Sequence, residues 1–295
     1  MTKGVLLAFL TYAVFSACDA SVKGLGSSMP VAEIVFLVMV AEFAVILMLR
    51  PSGERWRDLF RMKHPKLVAL RAACAAIAVL CSTYAFVTIP LAEAYALFFL
   101  APTIVTLLSI FILGERVGWR RMVAVGVGFA GMLLVVKPGL RELHLGHLMA
   151  ALTACASATS VITLRKIGRT ERQVSLLGVV MLGCIVSSGI IAAPALVVPP
   201  RESLPLLVSA GLAGGIGQIL FLATMRLAPA NRVAPTQYSQ IFWAVVFGAV
   251  FFAELPDVIA LCGIGLIALS GLFTFLREEK VTSWPRRTPL MRDPL

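Results

Sequence analysis

Residues 61–89 read RMKHPK-LVALRAACAAIAVLCSTYAFVTI: a cluster of cations, then a long apolar run that stops before Pro90. The run carries one charge, Arg71, and is as long as a helix needs to cross a bilayer, about 20 residues. The same unit repeats in both directions along the chain. Apolar segments lie at 4–25, 30–49, 67–89, 91–113, 122–138, 147–164, 174–196, 204–225, 233–252 and 258–276, ten in all. With the N-terminus placed in the cytoplasm, nearly all of the 26 Lys and Arg fall on that side. They form clusters from Arg50 to Lys66, at Arg116, Arg120 and Arg121, from Arg165 to Arg172, and from Arg277 to Arg292. The opposite side holds Lys23, Lys137, Arg141 and Arg201. Positive charge kept in the cytoplasm sets orientation. The expected fold is therefore an all-α polytopic membrane protein of ten transmembrane helices, both termini cytoplasmic. One span more or fewer would scramble the alternation.

Composition agrees. Of 295 residues, 59% are hydrophobic and 14% charged, and mean hydropathy is +0.94. Soluble domains carry about 25% charged residues. The net charge of +11 sits in short loops, where it meets anionic headgroups. No basic stretch is interleaved with base-stacking aromatics, so nucleic acid is not an expected partner. The six cysteines all lie in spans without a C-x-x-C pair and read as apolar packing residues. No metal or cofactor is expected. Phe15-Ser16-Ala17-Cys18 imitates a lipoprotein cleavage box, but nine spans follow it, and an uncleaved first helix is the expectation. The end of the chain, 282–295, alternates Pro and Arg and reads as a disordered cytoplasmic tail.

The chain also matches itself. Gly4-Val5-Leu6-Leu7-Ala8-Phe9-Leu10-Thr11 aligns with Gly146-His147-Leu148-Met149-Ala150-Ala151-Leu152-Thr153, opening spans 1 and 6. Leu113-Gly114-Glu115 aligns with Phe252-Ala253-Glu254, closing spans 4 and 9, and the same offset sets Gly126 on Gly265. Two repeats follow, 4–138 and 147–276. Each has an odd number of spans, so the second enters the membrane upside down. Secondary transporters are often built this way, with the substrate held between the halves near the midplane.

Five spans plus five, a glutamate closing span 4 in Leu113-Gly114-Glu115-Arg116, and a glycine-rich span 5 resemble the EamA type of the drug/metabolite transporter superfamily. The length and the aromatic residues of span 4 look closest to the YddG-type bacterial exporters of aromatic and other neutral amino acids. Ala253-Glu254-Leu255-Pro256 departs from the Gly-Glu form. The resemblance implies export of small metabolites by alternating access, a central site lined by spans 1, 3, 4, 6, 8 and 9, and an architecture in which a monomer suffices.

Several motifs have plainer readings. Gly126-Val127-Gly128-Phe129-Ala130-Gly131 spells a dinucleotide fingerprint but lies inside an apolar span, where small residues let helices approach. No H-E-x-x-H, no G-x-S-x-G elbow and no intramembrane aspartate pair occurs, so an enzyme is not expected. Polar residues at helical spacing mark inward faces: Tyr12, Ser16, Asp19 and Lys23 on span 1; Tyr95, Phe99, Pro102, Thr106 and Ser109 on span 4; Thr153, Ser157, Ser160 and Thr163 on span 6. Isolated hydroxyls read as bonds to their own helix. Gln218, Tyr238 and Gln240 have more groups to satisfy and read as cavity residues.

The expected site has an aromatic wall of Tyr84, Tyr95, Phe99, Tyr238 and Trp243. Ser16, Gln218 and Gln240 would bond a substrate's amino and carboxylate groups. Asp19 has two readings, attraction of a substrate ammonium or a surface pair with Lys23. Glu42 and Arg71 are expected to pair or snorkel as a structural clamp. Pro102 and Pro235 are expected to bend their helices, and Glu115 and Glu254 to satisfy backbone donors. Export of lipophilic cations, or a membrane scaffold or receptor without transport, remain alternatives. Proton exchange and facilitated diffusion are equally compatible with the sequence.

Overall fold

The computed structural model describes residues 2–49, 60–113, 119–137, 142–168, 170–227 and 233–282. Glu115 and the tail from 283 to 295 lie outside this set, and so do the roles expected of them. The helices are α1 (Thr2–Leu25), α2 (Val31–Leu49), α3 (Pro65–Thr88), α4 (Leu91–Phe98), α5 (Ala101–Leu113), α6 (Trp119–Val136), α7 (Leu145–Ile167), α8 (Gln173–Ala192), α9 (Leu204–Leu227), α10 (Ser239–Phe252) and α11 (Val258–Thr282). The described residues contain no strand. Seven helical segments, α4 and α5 counted together, are long and apolar enough to cross a membrane. Three shorter apolar helices, Met122–Val136, Thr236–Phe252 and Val258–Phe273, accompany them. The chain is a multi-pass membrane protein.

Outward faces explain why the helices need lipid. Met48, Phe111, Ile190 and Val198 are each at least 70% exposed. Apolar side chains bared on this scale would be untenable in water. The interior is made largely of alanine and other small residues, so the helices lie close. One close approach, backbone to backbone, joins α6 to α11. A Cβ on Gly131 would fall 2.7 Å from the Gly263 carbonyl, and one on Gly263 would fall 2.5 Å from the Gly131 carbonyl. Gly131 thus belongs to helix packing, whereas Gly126 and Gly265 face open space.

Helix ends follow the local sequence. Pro65 occupies the first turn of α3, where its missing N–H costs nothing. Ile89 is extended ahead of Pro90 and ends the same helix. Pro102 cannot donate to the Phe98 carbonyl, and the span breaks there into α4 and α5. Pro235 lies in a 3-10 segment, Ala234–Tyr238, so the α-helix of this span begins only at Ser239, later than the apolar pattern suggests. α10 ends on Ala253 in the left-handed conformation (φ 55°), with the Glu254 N–H returning to the Gly248 carbonyl at 2.9 Å.

The packing has a regular plan. α1 packs on α9 and α3 on α7; α2 packs on α9 and α3 on α8; α1 packs on α10 and α5 on α7. α2 also meets α8, and α6 meets α11. Hydroxyl pairs tie α1 to α9: Thr11 with Thr224 at 3.3 Å and Ser209 with Ser21 at 2.9 Å.

Two expected contacts differ. Lys23 does not pair with Asp19. It crosses to Glu254 at 2.8 Å and donates to the carbonyls of Phe86 (3.0 Å) and Ile89 (2.7 Å). Glu254 also accepts from the Leu91 N–H at 3.0 Å, a backbone donor of a neighbouring turn. The Glu42–Arg71 ion pair is not formed either. Arg71 donates to the Leu176 carbonyl of α8, and its Nε has no partner. A mainchain acceptor lay within the guanidinium's reach, so the side chain turned toward α8 rather than α2.

Polar contacts gather at the two ends of the bundle. One end holds Lys23–Glu254, Lys137–Asp257, His147–Glu93 (3.1 Å) and Ser28–Ser203 (2.8 Å). At the other, Glu171 accepts from the His64 N–H at 2.5 Å. Burial works against its charge, but the His64 and Lys63 N–H groups outweigh that and hold Glu171 below the usual carboxylate range.

Candidate transport site

The broken span and the 3-10 segment both line a cavity of about 640 Å³. Walls come from α1, α3, α4, α5, α6, α7, α10 with its 3-10 lead-in, and α11. At the blind end the Tyr95 hydroxyl donates to Asp19 Oδ2. Ser16, 1% exposed, lies beside the Tyr95 hydroxyl, and its Oγ has no partner of hydrogen-bond geometry. Lys23 closes this end from above, one helical turn beyond Asp19, with its ammonium 5.3 Å from the Phe252 ring centroid.

Aromatic rings step down from the blind end. Phe86 lies 5.6 Å from Tyr95, Tyr95 lies 6.4 Å from Phe99, and Phe99 stacks on Tyr238 at 4.8 Å and 19°. The self-match of the sequence that sets Glu254 on Glu115 also sets Tyr238 on Phe99, and these two matched residues meet face to face. Below the rings lie Gln237 and Gln240, and Arg165 stands at the mouth. Arg165 is 18 residues from His147 on one helix, which places it about 27 Å down the axis. The Lys23 and Glu254 side chains are 9% and 23% exposed whereas Arg165 and Gln237 are exposed, so the chamber opens at the Arg165 end.

Most hydroxyls on the wall are spoken for. Thr106 donates to the Pro102 carbonyl at 2.9 Å, Thr153 to the Met149 carbonyl at 2.9 Å, and Ser270 to the Ala124 carbonyl at 2.6 Å. A hydroxyl bonded to backbone leaves a smooth wall with little donor capacity. The polar groups aimed inward are chiefly Asp19, the two amides and Arg165. A carboxylate at one end, a cation at the other and stacked rings between suit an elongated zwitterion with a flat or apolar body.

Of the residues expected at the site, the cavity brings together Asp19, Tyr95, Phe99, Tyr238 and Gln240, with Pro102 at its edge. Ser16 is just behind Asp19. Tyr84, Gln218 and Trp243 are half-buried and do not line the cavity. Trp243 packs instead on Phe247, at 5.7 Å, and Phe242, at 5.3 Å. Glycines near Gln218 serve helix contact: Gly214 gives its room to the Glu42 carboxylate. Sequence reasoning missed Phe86, Phe98 and Arg165. For Arg165 a signal existed, because Thr153, Ser157, Val161 and Arg165 recur every fourth residue on α7. Among the described residues, no cluster of His, Cys, Asp and Glu could hold a metal ion.

Apolar helices bared to lipid around a polar, one-ended chamber define a membrane transporter. The sequence profile of the EamA-like transporter family matches residues 2–137 and again residues 144–276, and the chain belongs to that family. The pseudopaline exporter of Pseudomonas aeruginosa is 28% identical over 291 residues, 95% of this chain and 98% of that protein. An S-adenosylmethionine uptake transporter of Rickettsia felis is 25% identical over 268 residues, covering 91% and 90%. A protein of known crystal structure shares the fold with a TM-score of 0.62 at 16% identity, over 96% of this chain and all of that one.

Proposed function

We propose that the protein exports small zwitterionic metabolites, aromatic or other neutral amino acids foremost, from the cytoplasm across the bacterial inner membrane by alternating access. The observation that carries this reading is the chamber itself, with Asp19 and Tyr95 at its closed end and Phe99 stacked on Tyr238. The substrate ammonium meets Asp19, and an aromatic body lies against the rings. The carboxylate is met by Gln240 and, in longer substrates, by Arg165. Relatives that move pseudopaline in one case and S-adenosylmethionine in the other support a small-molecule substrate and widen the range to test.

The ten-span inverted repeat is part of this reading. The family profile fits twice, and exchanging the first set of helices for the second leaves the packing plan unchanged, with α1 on α9 matching α7 on α3. The positive-charge bias supports cytoplasmic termini. It follows that the Lys23 end faces outward and that this conformation is open to the cytoplasm. The protein works as a monomer without enzymatic chemistry.

A second reading, export of lipophilic cations, draws support from the same Asp19, whose one hydrogen bond among the described residues comes from a phenol and whose nearest cation on α1, Lys23, is held by Glu254. Counterflow in proteoliposomes separates the readings. Radiolabelled L-phenylalanine should exchange in wild type and fall at least about tenfold in Asp19→Asn and in Tyr238→Ala. Ethidium exchange without phenylalanine exchange would favour the second reading. If both variants kept full phenylalanine exchange, the site would be wrong.

A further inference from the structure

Glu42 is outside the chamber and the transport reading has no use for it. It lies on α2, 6% exposed, in the middle of the bundle. The charged and titratable groups around it are few. From α1 come Cys18, whose Sγ is 3.9 Å from Glu42 Oε1, and Asp19, the next residue along the helix. From α8 comes Cys184. α3 brings Arg71, but that guanidinium is turned to the Leu176 carbonyl. α9 brings Gly214, where a Cβ would stand 2.0 Å from Glu42 Oε1. Among the described residues, then, Glu42 has no cation and no N–H donor, only a thiol.

An ionised carboxylate in such a place is strongly disfavoured, and more so while Asp19 carries its own charge. A neutral carboxyl is comfortable there. Gly214 keeps the space clear on α9, and Cys18 joins the two acids as the residue adjacent to Asp19 in the chain. Asp19 faces the cavity and Ser16, buried beside it, has an unused hydroxyl, so the charge at Asp19 changes when a cationic group enters.

We propose that Glu42 is the proton-carrying site that couples transport to the proton gradient. It holds a proton while the chamber is empty and Asp19 is charged. When a substrate ammonium offsets Asp19, the repulsion on Glu42 falls, its O–H bond breaks, and the proton passes to water on the side then open. After the substrate leaves on the other side, water there returns one proton to the carboxylate. One substrate out is thus exchanged for one proton in. This deepens the transport reading and rests on it.

Two measurements test it, and the first needs no substrate. Infrared spectra of the purified protein should show a protonated-carboxyl C=O band at neutral pH that is absent from Glu42→Gln and weakened in Asp19→Asn, where the charge that keeps the proton on Glu42 is gone. A wild type without the band, or a Glu42→Gln protein that keeps it, overturns the proposal. Should Glu42→Gln not fold, Glu42→Asp must shift the band, and an unshifted band overturns it equally. The second measurement uses L-phenylalanine in proteoliposomes with an imposed pH gradient. Glu42→Gln should exchange phenylalanine yet lose the acceleration by the gradient, about tenfold. Gradient-driven transport at the wild-type level in Glu42→Gln would refute the coupling. If wild type moved no phenylalanine, the substrate reading would fall while the infrared result still judged Glu42.

Discussion

At Ala253 the chain does something alanine dislikes. The residue caps α10 with φ 55°, a left-handed conformation that costs a residue with a Cβ roughly 1 kcal/mol more than glycine. The residue matched to it in the sequence self-alignment, Gly114, is the type this conformation favours. Ala253→Gly should therefore raise stability by about 1 kcal/mol, read as a higher melting temperature in detergent. Glu171 offers a pH test. Its lowered pKa means that its contribution is present above the unfolded value of about 4.3 and is lost as pH falls through the lower folded value. Glu171→Gln should melt lower than wild type by about 1 kcal/mol at neutral pH. The two proteins should converge in acid, and a difference that persisted there would argue against the His64 contact.

At the scale of elements, the break between α4 and α5 shapes the mouth of the chamber. Pro102→Ala restores the missing N–H and should straighten the span, gaining helix stability while slowing exchange. Faster exchange in the straightened protein would count against a role for the bend. The crossing of α6 and α11 admits no side chain. Gly131→Ala pushes a methyl into the Gly263 carbonyl and should destabilise by about 1–3 kcal/mol, seen in thermal unfolding. These elements also show what sequence can reveal. The apolar helices and their order are written in apolar length, because lipid imposes it locally. Tyr95, Phe99, Tyr238, Gln240 and Asp19 were legible as stripes. The partners of Lys23 and Arg71 were not, because a long cation takes whichever acceptor the tertiary packing brings near. For Lys23 that was a carboxylate more than two hundred residues away in sequence.

At the scale of the whole molecule, Lys23 gathers α1, the end of α3 and the residue after α10 into one closed wall. Glu254→Gln takes away its charge partner. With a single cysteine introduced at Ala20, 8% exposed in this conformation, labelling by an impermeant maleimide from the Lys23 side should rise severalfold. Unchanged labelling would mean that the closed wall does not depend on the pair.

Where Gly131 and Gly263 meet, backbone against backbone, there is little slack to take up. Such a seam is brittle: it holds as it is or parts altogether. As a stationary spine it should leave the swing to the other crossings. Spin labels astride that seam should then keep one separation through a transport cycle while labels astride the chamber report two.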